Sequence, residues 1–564
     1  MYRSLGLGRQ CLIWNHQAKN PMPNVPPLPA HPLACLFLMP VNTELHQFLI
    51  EAHKIAQFQP AILEHIEADL DAYGLKKKLV READRRFLEA QTPDLSNLKM
   101  EWRPSEPAQR QLGVGRPRLE PYAVYLFLML RGRLGGCKDQ DARLLQEESM
   151  TLHWWLENLG LSLAPASTLS ENLNAVSNAT RDFIHQAQLR YILDEGLDDF
   201  SCLYLDSTAV KANTERPTES GLITKLVERI CRRGGKLDRF GLLNFDPRGL
   251  QEIQRDLRRM HLEIGFSTGK AKKQGRLKRL YYRLLRRGRR VCKRFERELA
   301  AVEKALAGQK EMLPSQRLRA EEVVELIRAD IRAVEQVATA GERRVLKEEK
   351  VPSAEKVISI SDGDAAFIVK GGWNTVTGYR PQVGRSGQGF VSALLVPEGN
   401  AADNGQLVGV VLEHWDRSGV LPRLVSSDDG YCHGSARDDL LKAGVEVVSI
   451  SGAKGKQITG AQQWNRPDYR AARANRSAVE SLMFTLKDGY EFGQLVRRER
   501  ENVRAELTEK VWPIIYRRSF ESGRAGRARN WSNHWQRRPN RRTRHRRNGE
   551  VSTMLAKKWR WVRP

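Results

Sequence analysis

The sequence predicts a mixed α/β sheet that is preceded by an all-helical region and interrupted, after its first strand, by a large helical insertion. Three observations lead to this fold class. A short apolar strand, Cys202–Ser207, carries Asp206 near its end. A stretch of roughly 217–350 then reads as helix throughout, and strands alternating with helices follow it. Such alternation is typical of sheets with parallel strands, whose ends expose side chains to ligands.

The length and charge of the chain limit the functions it can have. Its 564 residues are too many for one small core and predict two or three domains. The net charge of +26 favours nucleic acid as a partner over an anionic membrane surface. No apolar run reaches the roughly 18 residues that a membrane-spanning helix needs. The seven cysteines include no CxxC pair, so we expect reduced, intracellular cysteines and no structural zinc site.

The N-terminal part of the sequence is predicted to be helical after a short leader. Residues 1–40 are rich in Pro and lack periodicity, which predicts disorder. Residues 41–198 read as short helices with tight Gly or Pro turns and a basic, helix-breaking element at 115–118. This pattern suits a DNA-binding module of the helix-turn-helix kind and a plain helical bundle equally well.

The insertion, 217–350, is predicted to be an antiparallel helical hairpin. Apolar residues at alternating spacings of four and three mark one face of its first helix, from Leu277 to Phe295, and the second helix follows Pro314. Many cations on one helix repel each other unless an anion lies alongside. We therefore expect DNA-backbone contacts, rather than a merely solvated face, from Arg279, Arg283, Arg286 and Arg290.

Strands return after the insertion and build the rest of the sheet. The predicted strands are 355–360, 375–383, 388–397, 424–427 and 445–450, with helices at 404–415, at 435–443 and around Glu480. Segments 199–216 and 351–510 therefore form one domain, and the order of its elements is that of a ribonuclease H-like fold. Residues 511–564 are dominated by Arg, Asn, Ser and Trp and predict a basic, disordered tail, either a DNA-binding segment or the frameshifted end of a decayed gene copy.

Acidic residues mark two strand ends and one later helix. Asp206 lies at the end of the first strand, Asp428 and Asp429 follow 424–427, and Glu480 lies on a helix with apolar flanks. Three carboxylates on separate elements suit a two-metal site, because hard oxygen ligands hold Mg²⁺ and leave positions for water and phosphate. Turn capping is the alternative for Asp206. Strand alternation does not choose between Asp428 and Asp429.

With these elements in order, the chain resembles the DDE transposases of bacterial insertion sequences over roughly residues 110–500. The resemblance rests on Asp206-Ser207-Thr208, on Asp428-Asp429-Gly430-Tyr431, and on Arg476, Glu480 and Lys487 at the R(3)E(6)K spacing of the family signature. The family pattern of acid, any residue, Gly, Tyr favours Asp428 as the second acid. The tyrosine position of the signature is Arg473 here, so the role of that tyrosine is not transferred.

The resemblance implies a DNA transposase. Asp206, Asp428 and Glu480 would hold two Mg²⁺ or Mn²⁺ ions that activate water, and then a DNA 3′-hydroxyl, for attack on phosphorus. The expected result is nicking at the ends of the element and strand transfer into target DNA. Lys211, Arg476 and Lys487 would face DNA phosphates.

The partners and the rival functions follow from the same resemblance. We expect double-stranded DNA, as terminal inverted repeats and as target, a homodimer in the active complex, and a location on the nucleoid in a bacterial cytoplasm. The alternatives are a catalytically inactive DNA-binding remnant and a metal-dependent nuclease of the same fold.

Overall fold

The computed structural model describes residues 43–91, 118–135, 149–161, 165–214, 218–243, 247–267, 274–308, 312–352, 355–370 and 374–532. The chain divides into a unit of residues 1–518 and a C-terminal unit of residues 519–564. The predicted leader, 1–40, and the end of the predicted tail, 533–564, lie outside the described residues. No described helix combines the length and the apolar character needed to cross a membrane.

The described residues contain eight strands in two sheets. They are β1 Cys202–Ser207, β2 Val210–Lys211, β3 Ala366–Lys370, β4 Asn374–Tyr379, β5 Gln382–Ser386, β6 Val391–Leu395, β7 Leu424–Ser427 and β8 Val447–Ile450. The main sheet has the order β6-β5-β1-β7-β8. Strands β1, β5 and β6 pair antiparallel, whereas β1, β7 and β8 pair parallel. The prediction of a mixed α/β sheet is confirmed.

A small antiparallel sheet, β2-β4-β3, holds strands that we expected in the main sheet. The prediction of one strand over 375–383 is wrong, because Arg380 and Pro381 separate β4 from β5. Proline has no N–H to donate to a ladder. The predicted strand 355–360 is also wrong, since side chains of the insertion, not a neighbouring strand, bind its carbonyl groups at Glu355 and Ile360.

Six helices of the described residues precede the main sheet. They are α1 Thr43–Phe58, α2 Ala61–Gln91, α3 Pro121–Arg133, α4 Met150–Asn158, α5 Ala166–Ala175 and α6 Asn178–Asp194. Helix α3 is apolar nearly all round and is buried from Tyr122 to Gly132, so it presents no face to DNA. The hydrophobic core around α3 continues to Tyr204 of β1. Any DNA contact of the region 41–198 must therefore come from another of its segments.

The described part of the insertion forms four α-helices with their own hydrophobic core. Its helices are α7 Glu219–Arg239, α8 Pro247–Ser267, α9 Gln274–Gly308 and α10 Pro314–Gly341. The prediction of a two-helix hairpin is therefore wrong, although α9 and α10 are the two helices expected. The overlooked signal lies in α7, where Leu222, Leu226 and Ile230 recur at helical spacing and are buried.

Helices cover both faces of the main sheet. They are α11 Leu407–Ser418, α12 Gly434–Lys442, α13 Ala453–Thr459, α14 Ala461–Trp464, α15 Pro467–Asn475 and α16 Ser477–Gly489. On one face, Leu203 and Leu205 of β1 share a core cluster with α11 and α12. On the other, Tyr204 of β1 shares a cluster with Val479 and Leu482 of α16.

The last helix, α17 Arg500–Ser532, corrects the prediction of a disordered tail from residue 511. Val511, Trp512 and Tyr516 are buried in the core that also contains α3. Pro513 lies inside this helix and has no N–H to donate to the carbonyl of Glu509. The proline and the arginine-rich sequence beyond it hid the apolar segment that anchors the helix.

A buried carboxylate joins α17 to the N-terminal helices. The Glu509 carboxylate accepts hydrogen bonds from Arg131 Nε at 2.8 Å and from Arg181 Nε at 2.7 Å. Burial raises the pKa of Glu509, but Arg131, Arg497 and Arg181 outweigh it and lower this pKa to about 2. The cluster therefore stabilises the fold at neutral pH, and this contribution is lost progressively as the pH falls from 4.5, the ordinary pKa of glutamate, to about 2.

Replacing Gly132 by alanine should destabilise the protein at the contact between α3 and α17. The added Cβ would lie 2.2 Å from the backbone oxygen of Glu509. We expect Gly132→Ala to lower the free energy of unfolding in urea by about 1–3 kcal/mol. Gly74 of α2 has nothing within 4 Å of its Cβ position. The control Gly74→Ala should therefore raise that free energy by up to about 1 kcal/mol. Equal effects of the two changes would contradict the close packing.

Candidate metal and nucleic-acid site

The register of the parallel strands β1 and β7 brings two acids together. Tyr204 of β1 lies opposite Ser426 of β7. Two residues further along each chain, this register sets Asp206 opposite Asp428. The carboxyl ends of parallel strands meet at one edge of a sheet, where side chains leave the packed layer and become accessible to ligands.

Strand alternation places both acids on the face that α15 and α16 cover. Asp206 follows Tyr204 by two residues, and Tyr204 packs in the core cluster of α16. Asp428 follows Ser426 by two residues, and the Ser426 hydroxyl donates to a backbone carbonyl of α15 at 3.1 Å. The backbone of Asp428 is extended, so the alternation continues to this residue.

The two neighbouring acids after β7 have different surroundings. Asp429 Oδ1 accepts a hydrogen bond from the Gly455 amide at 3.0 Å. Gly452, at φ +96°, packs so closely that a Cβ would lie 2.6 Å from the Asp429 carboxyl carbon. Asp429 therefore holds the turn between β8 and α13. Asp428 caps the short turn that follows β7 and stays at the strand end beside Asp206.

Glu480 lies on α16, on the same face of the sheet, but its carboxylate is engaged. Arg476 Nη2 donates to Glu480 Oε1 at 2.8 Å, and the Glu480 side chain is 56% exposed. Across the described ranges, no three side chains of His, Cys, Asp or Glu lie close enough together to hold a metal ion. The structure thus places Asp206 and Asp428 at the ends of two adjacent parallel strands and leaves Glu480 in an ion pair.

The pair of aspartates fits a hard divalent cation. Mg²⁺ is commonly bound through one or two carboxylates together with waters and substrate phosphates. The ion pair between Arg476 and Glu480 is solvent-exposed, and such pairs contribute only about 0–1 kcal/mol. Asp206 and Asp428 are therefore the residues that could hold Mg²⁺, and the ion pair that engages Glu480 would cost little to break.

A polar network next to the acids supports the ends of β1 and β5. Asp403, in the short turn before α11, accepts hydrogen bonds from Arg380 and from Gln382 Nε2, the latter at 3.0 Å. Arg380 Nε donates to Ser207 Oγ at 3.2 Å, and the Tyr431 hydroxyl donates to Gln382. The sequence did not reveal this network, because no motif or spacing connects Asp403 with Arg380 and Gln382.

Tyr431 lies among three carboxylates. Burial raises the pKa of its phenol, and Asp403, Asp206 and Asp428 raise it further. An oxygen of Asp428 and an oxygen of Asp403 both lie within 3.2 Å of the point where a side chain at Gly430 would begin. The absence of a side chain at Gly430 therefore permits this close approach of the acids.

Two of the predicted phosphate-binding lysines, Lys211 and Lys487, both contact Gly493. The Lys487 stem packs against Gly493, and the backbone amide of Lys211 donates to the Gly493 carbonyl at 2.9 Å. Both lysine side chains are exposed. Arg473, at the tyrosine position of the signature, has its guanidinium 3.7 Å from the centre of the Trp464 ring and donates to the Trp464 carbonyl. Arg473 therefore packs α14 against α15.

A continuous line of cations runs along the exposed side of α9, and we call it the α9 stripe. Its members recur at spacings of three and four and span roughly 30 Å at about 1.5 Å per residue: Arg276, Arg279, Arg283, Arg286, Arg290, Lys293 and Arg297. The opposite side of α9 is buried in the insertion core. Within the described part of the chain, the four predicted arginines of the stripe form no ion pairs, whereas Arg289 pairs with two glutamates.

Comparison with known proteins yields no match to a family model, to a curated protein or to a solved structure. The function must therefore be inferred from the adjacent aspartates, the helix that carries Glu480 and the cationic surfaces.

Removing one carboxylate of the adjacent pair should weaken metal binding. We expect Asp428→Asn to reduce the affinity for Mn²⁺, measured by isothermal titration calorimetry, by at least about tenfold. The matched control Asp429→Asn keeps an oxygen that can accept from Gly455 and should leave the affinity unchanged. Equal losses in the two variants would contradict the assignment of Asp428.

Neutralising part of the α9 stripe should reduce the salt dependence of DNA binding. For Arg283→Gln with Arg290→Gln, we expect weaker binding to a fluorescent duplex. The slope of log K against log[salt] should also become smaller, by roughly 0.9 for each phosphate that is no longer neutralised. The control Arg328→Gln with Arg343→Gln removes the same charge from arginines that already pair with two glutamates each. A control that changes the slope equally would mean that net charge, not the stripe, sets the binding.

Proposed function

We propose that this protein is a DDE-type DNA transposase that nicks the ends of an insertion sequence in a Mg²⁺-dependent reaction and joins them to target DNA. The observation that carries the proposal is the placement of Asp206 and Asp428 at adjacent ends of parallel strands. Both acids lie on the face covered by the helix that bears Glu480.

The sheet supports the finer fold assignment that the proposal needs. An antiparallel half, β6-β5-β1, continues into a parallel half, β1-β7-β8, with the first strand in the centre. This arrangement, with acids at the ends of the two central parallel strands, favours a ribonuclease H-like catalytic domain. The insertion lies between β2 and β3, which belong to the small sheet, so it does not change the order of strands in the main sheet.

Each site residue has a defined task in the proposed reaction. Asp206 and Asp428 hold the cation, and Glu480 adds a third carboxylate once it leaves Arg476. Arg476 then faces a DNA phosphate together with Lys487 and Lys211, which lie near each other through Gly493. Bound Mg²⁺ would supply stabilisation of charge on phosphate oxygens and a more acidic water.

The α9 stripe supplies affinity for the DNA backbone in the proposed complex. Contacts of arginine with phosphates position a duplex and carry no sequence information directly. This task is supported by four exposed arginines that form no ion pairs with the described residues, namely Arg279, Arg283, Arg286 and Arg290. The proposed partners are double-stranded DNA, as element ends and as target, and a second copy of the chain, acting on the bacterial nucleoid.

One observation favours a second candidate, a catalytically inactive DNA-binding protein. Glu480 pairs with Arg476, and the described side chains include no assembled group of three metal ligands. In that case the cationic surfaces would still bind DNA, but Mg²⁺ would not promote cleavage.

Nicking of DNA separates the two candidates. A supercoiled plasmid that carries the DNA flanking the gene is incubated with the protein and Mg²⁺. We expect nicking, and at least a roughly hundredfold lower rate for Asp206→Asn and for Asp428→Asn with unchanged DNA binding. Asp429→Asn should nick at close to the normal rate.

Joining of a pre-cut 3′-hydroxyl end to a second plasmid then separates transposase from nuclease. Joined products support strand transfer, whereas nicking without joining indicates a nuclease. Binding without any nicking would establish the inactive candidate.

A further inference from the structure

The exposed face of α16 carries an aromatic side chain between the charged residues of the candidate site. Arg476, Glu480, Phe484 and Lys487 follow one another at spacings of four, four and three, so they share one face of the helix. Phe484 is 70% exposed. It lies one turn beyond the proposed metal ligand Glu480 and about one turn before Lys487.

The packing of α16 does not require a phenylalanine at this position. The opposite face contributes Val479, Leu482, Met483 and Leu486 to the core, and each of these is at most 7% exposed. Phe484 adds nothing to that core, because its ring faces solvent. Single exposed phenyl rings are tolerated on protein surfaces, so exposure alone does not indicate a binding site. The groups around Phe484 distinguish this ring from the others.

Cations flank Phe484 along the direction of the helix. Arg476 lies about two turns before Phe484, and Lys487 lies about one turn after it. The stem of Lys487 packs against Gly493, which also accepts a hydrogen bond from the backbone of the exposed Lys211. An aromatic side chain between cations is the combination by which proteins bind single-stranded nucleic acid, since phosphates meet the cations and a base stacks on the ring. A base inside a duplex cannot stack on a protein ring, because its neighbours already cover both of its faces.

We propose that Phe484 is the stacking platform for an unpaired base next to the phosphate that lies at the acids. This inference rests on the proposed function and narrows it: the substrate at this site is a DNA end with at least one unpaired nucleotide, not a fully paired duplex. Phe484 is a positioning residue, because it touches the substrate strand away from the reacting phosphorus.

The experiment measures binding without chemistry. Full-length protein in EDTA is titrated into a fluorescent duplex of about 20 base pairs with an unpaired 3′ extension of about six nucleotides, and into a blunt duplex of the same sequence. We expect Phe484→Ala to weaken binding of the extended probe about tenfold and to leave binding of the blunt probe unchanged. Phe484→Tyr should restore the affinity.

Two controls make the result specific to stacking. Trp415, on α11 at the opposite face of the sheet, is also a half-exposed aromatic, and Trp415→Ala should change neither affinity. A probe with abasic sites throughout its extension should bind the normal protein and Phe484→Ala equally well.

The inference is overturned if Phe484→Ala binds both intact probes as tightly as the normal protein does. It is also overturned if this variant binds the abasic probe as weakly, relative to the normal protein, as it binds the intact extended probe. A normal protein that does not prefer the extended probe over the blunt one would overturn it as well. Failure of the proposed reaction has a different result. In that case Mg²⁺ gives no nicking although the Phe484-dependent preference persists.

Discussion

The pairing of β1 with β7 is the constraint on which the candidate site depends. These strands belong to distant parts of the chain, and the large insertion lies between them. A slip of one residue in this register would turn Asp428 to the face of α11 and separate it from Asp206. The register is held from both faces, by Val425 in the core of α11 and by the hydrogen bond from Ser426 to α15.

The carboxylates near the ends of β1 and β7 either accept hydrogen bonds or remain partly exposed to solvent. Asp403 is almost fully buried and takes hydrogen bonds from Arg380 and Gln382. Asp206 and Asp428 keep partial exposure at the strand ends. A buried carboxylate without a partner is costly, whereas a partly exposed one can exchange water for a cation.

The N-terminal helices share one core with this sheet, and buried charge orients their contact with α17. Three arginines surround Glu509. At the start of α17, the backbone amides of Glu499 and Arg500 donate hydrogen bonds to the carboxylates of Asp362 and Asp364. Breaking a buried ion cluster of this kind typically costs about 3–5 kcal/mol. The sheet and the N-terminal helices are therefore packed around one hydrophobic core.

The sequence predicted the main elements of the site but not the contacts between them. The bounds of β1 and β7 followed from short apolar runs that end in acid, and both are confirmed. The division between β4 and β5 was missed, because residues typical of strands lie on both sides of Arg380 and Pro381. The burial of α17 was missed because arginine dominates the composition beyond Pro513. The few apolar residues on either side of this proline therefore did not stand out.

The state of Glu480 could not be predicted for a physical reason. Residues four apart on a helix can pair with each other or face a common ligand, and the spacing of Arg476 and Glu480 is the same in both cases. In the proposed reaction, a cation held by the two aspartates would decide between these two states. The sequence specifies these residues but not whether a metal ion is bound beside them.

Crystals of the full chain grown with Mn²⁺ would test the central claim most directly, through the anomalous scattering of the metal. We expect an anomalous peak between the carboxylates of Asp206 and Asp428, with Glu480 turned away from Arg476 and towards the metal. A fully occupied anomalous peak elsewhere would contradict the proposed metal site. So would the absence of a peak at saturating Mn²⁺ with Glu480 still paired to Arg476.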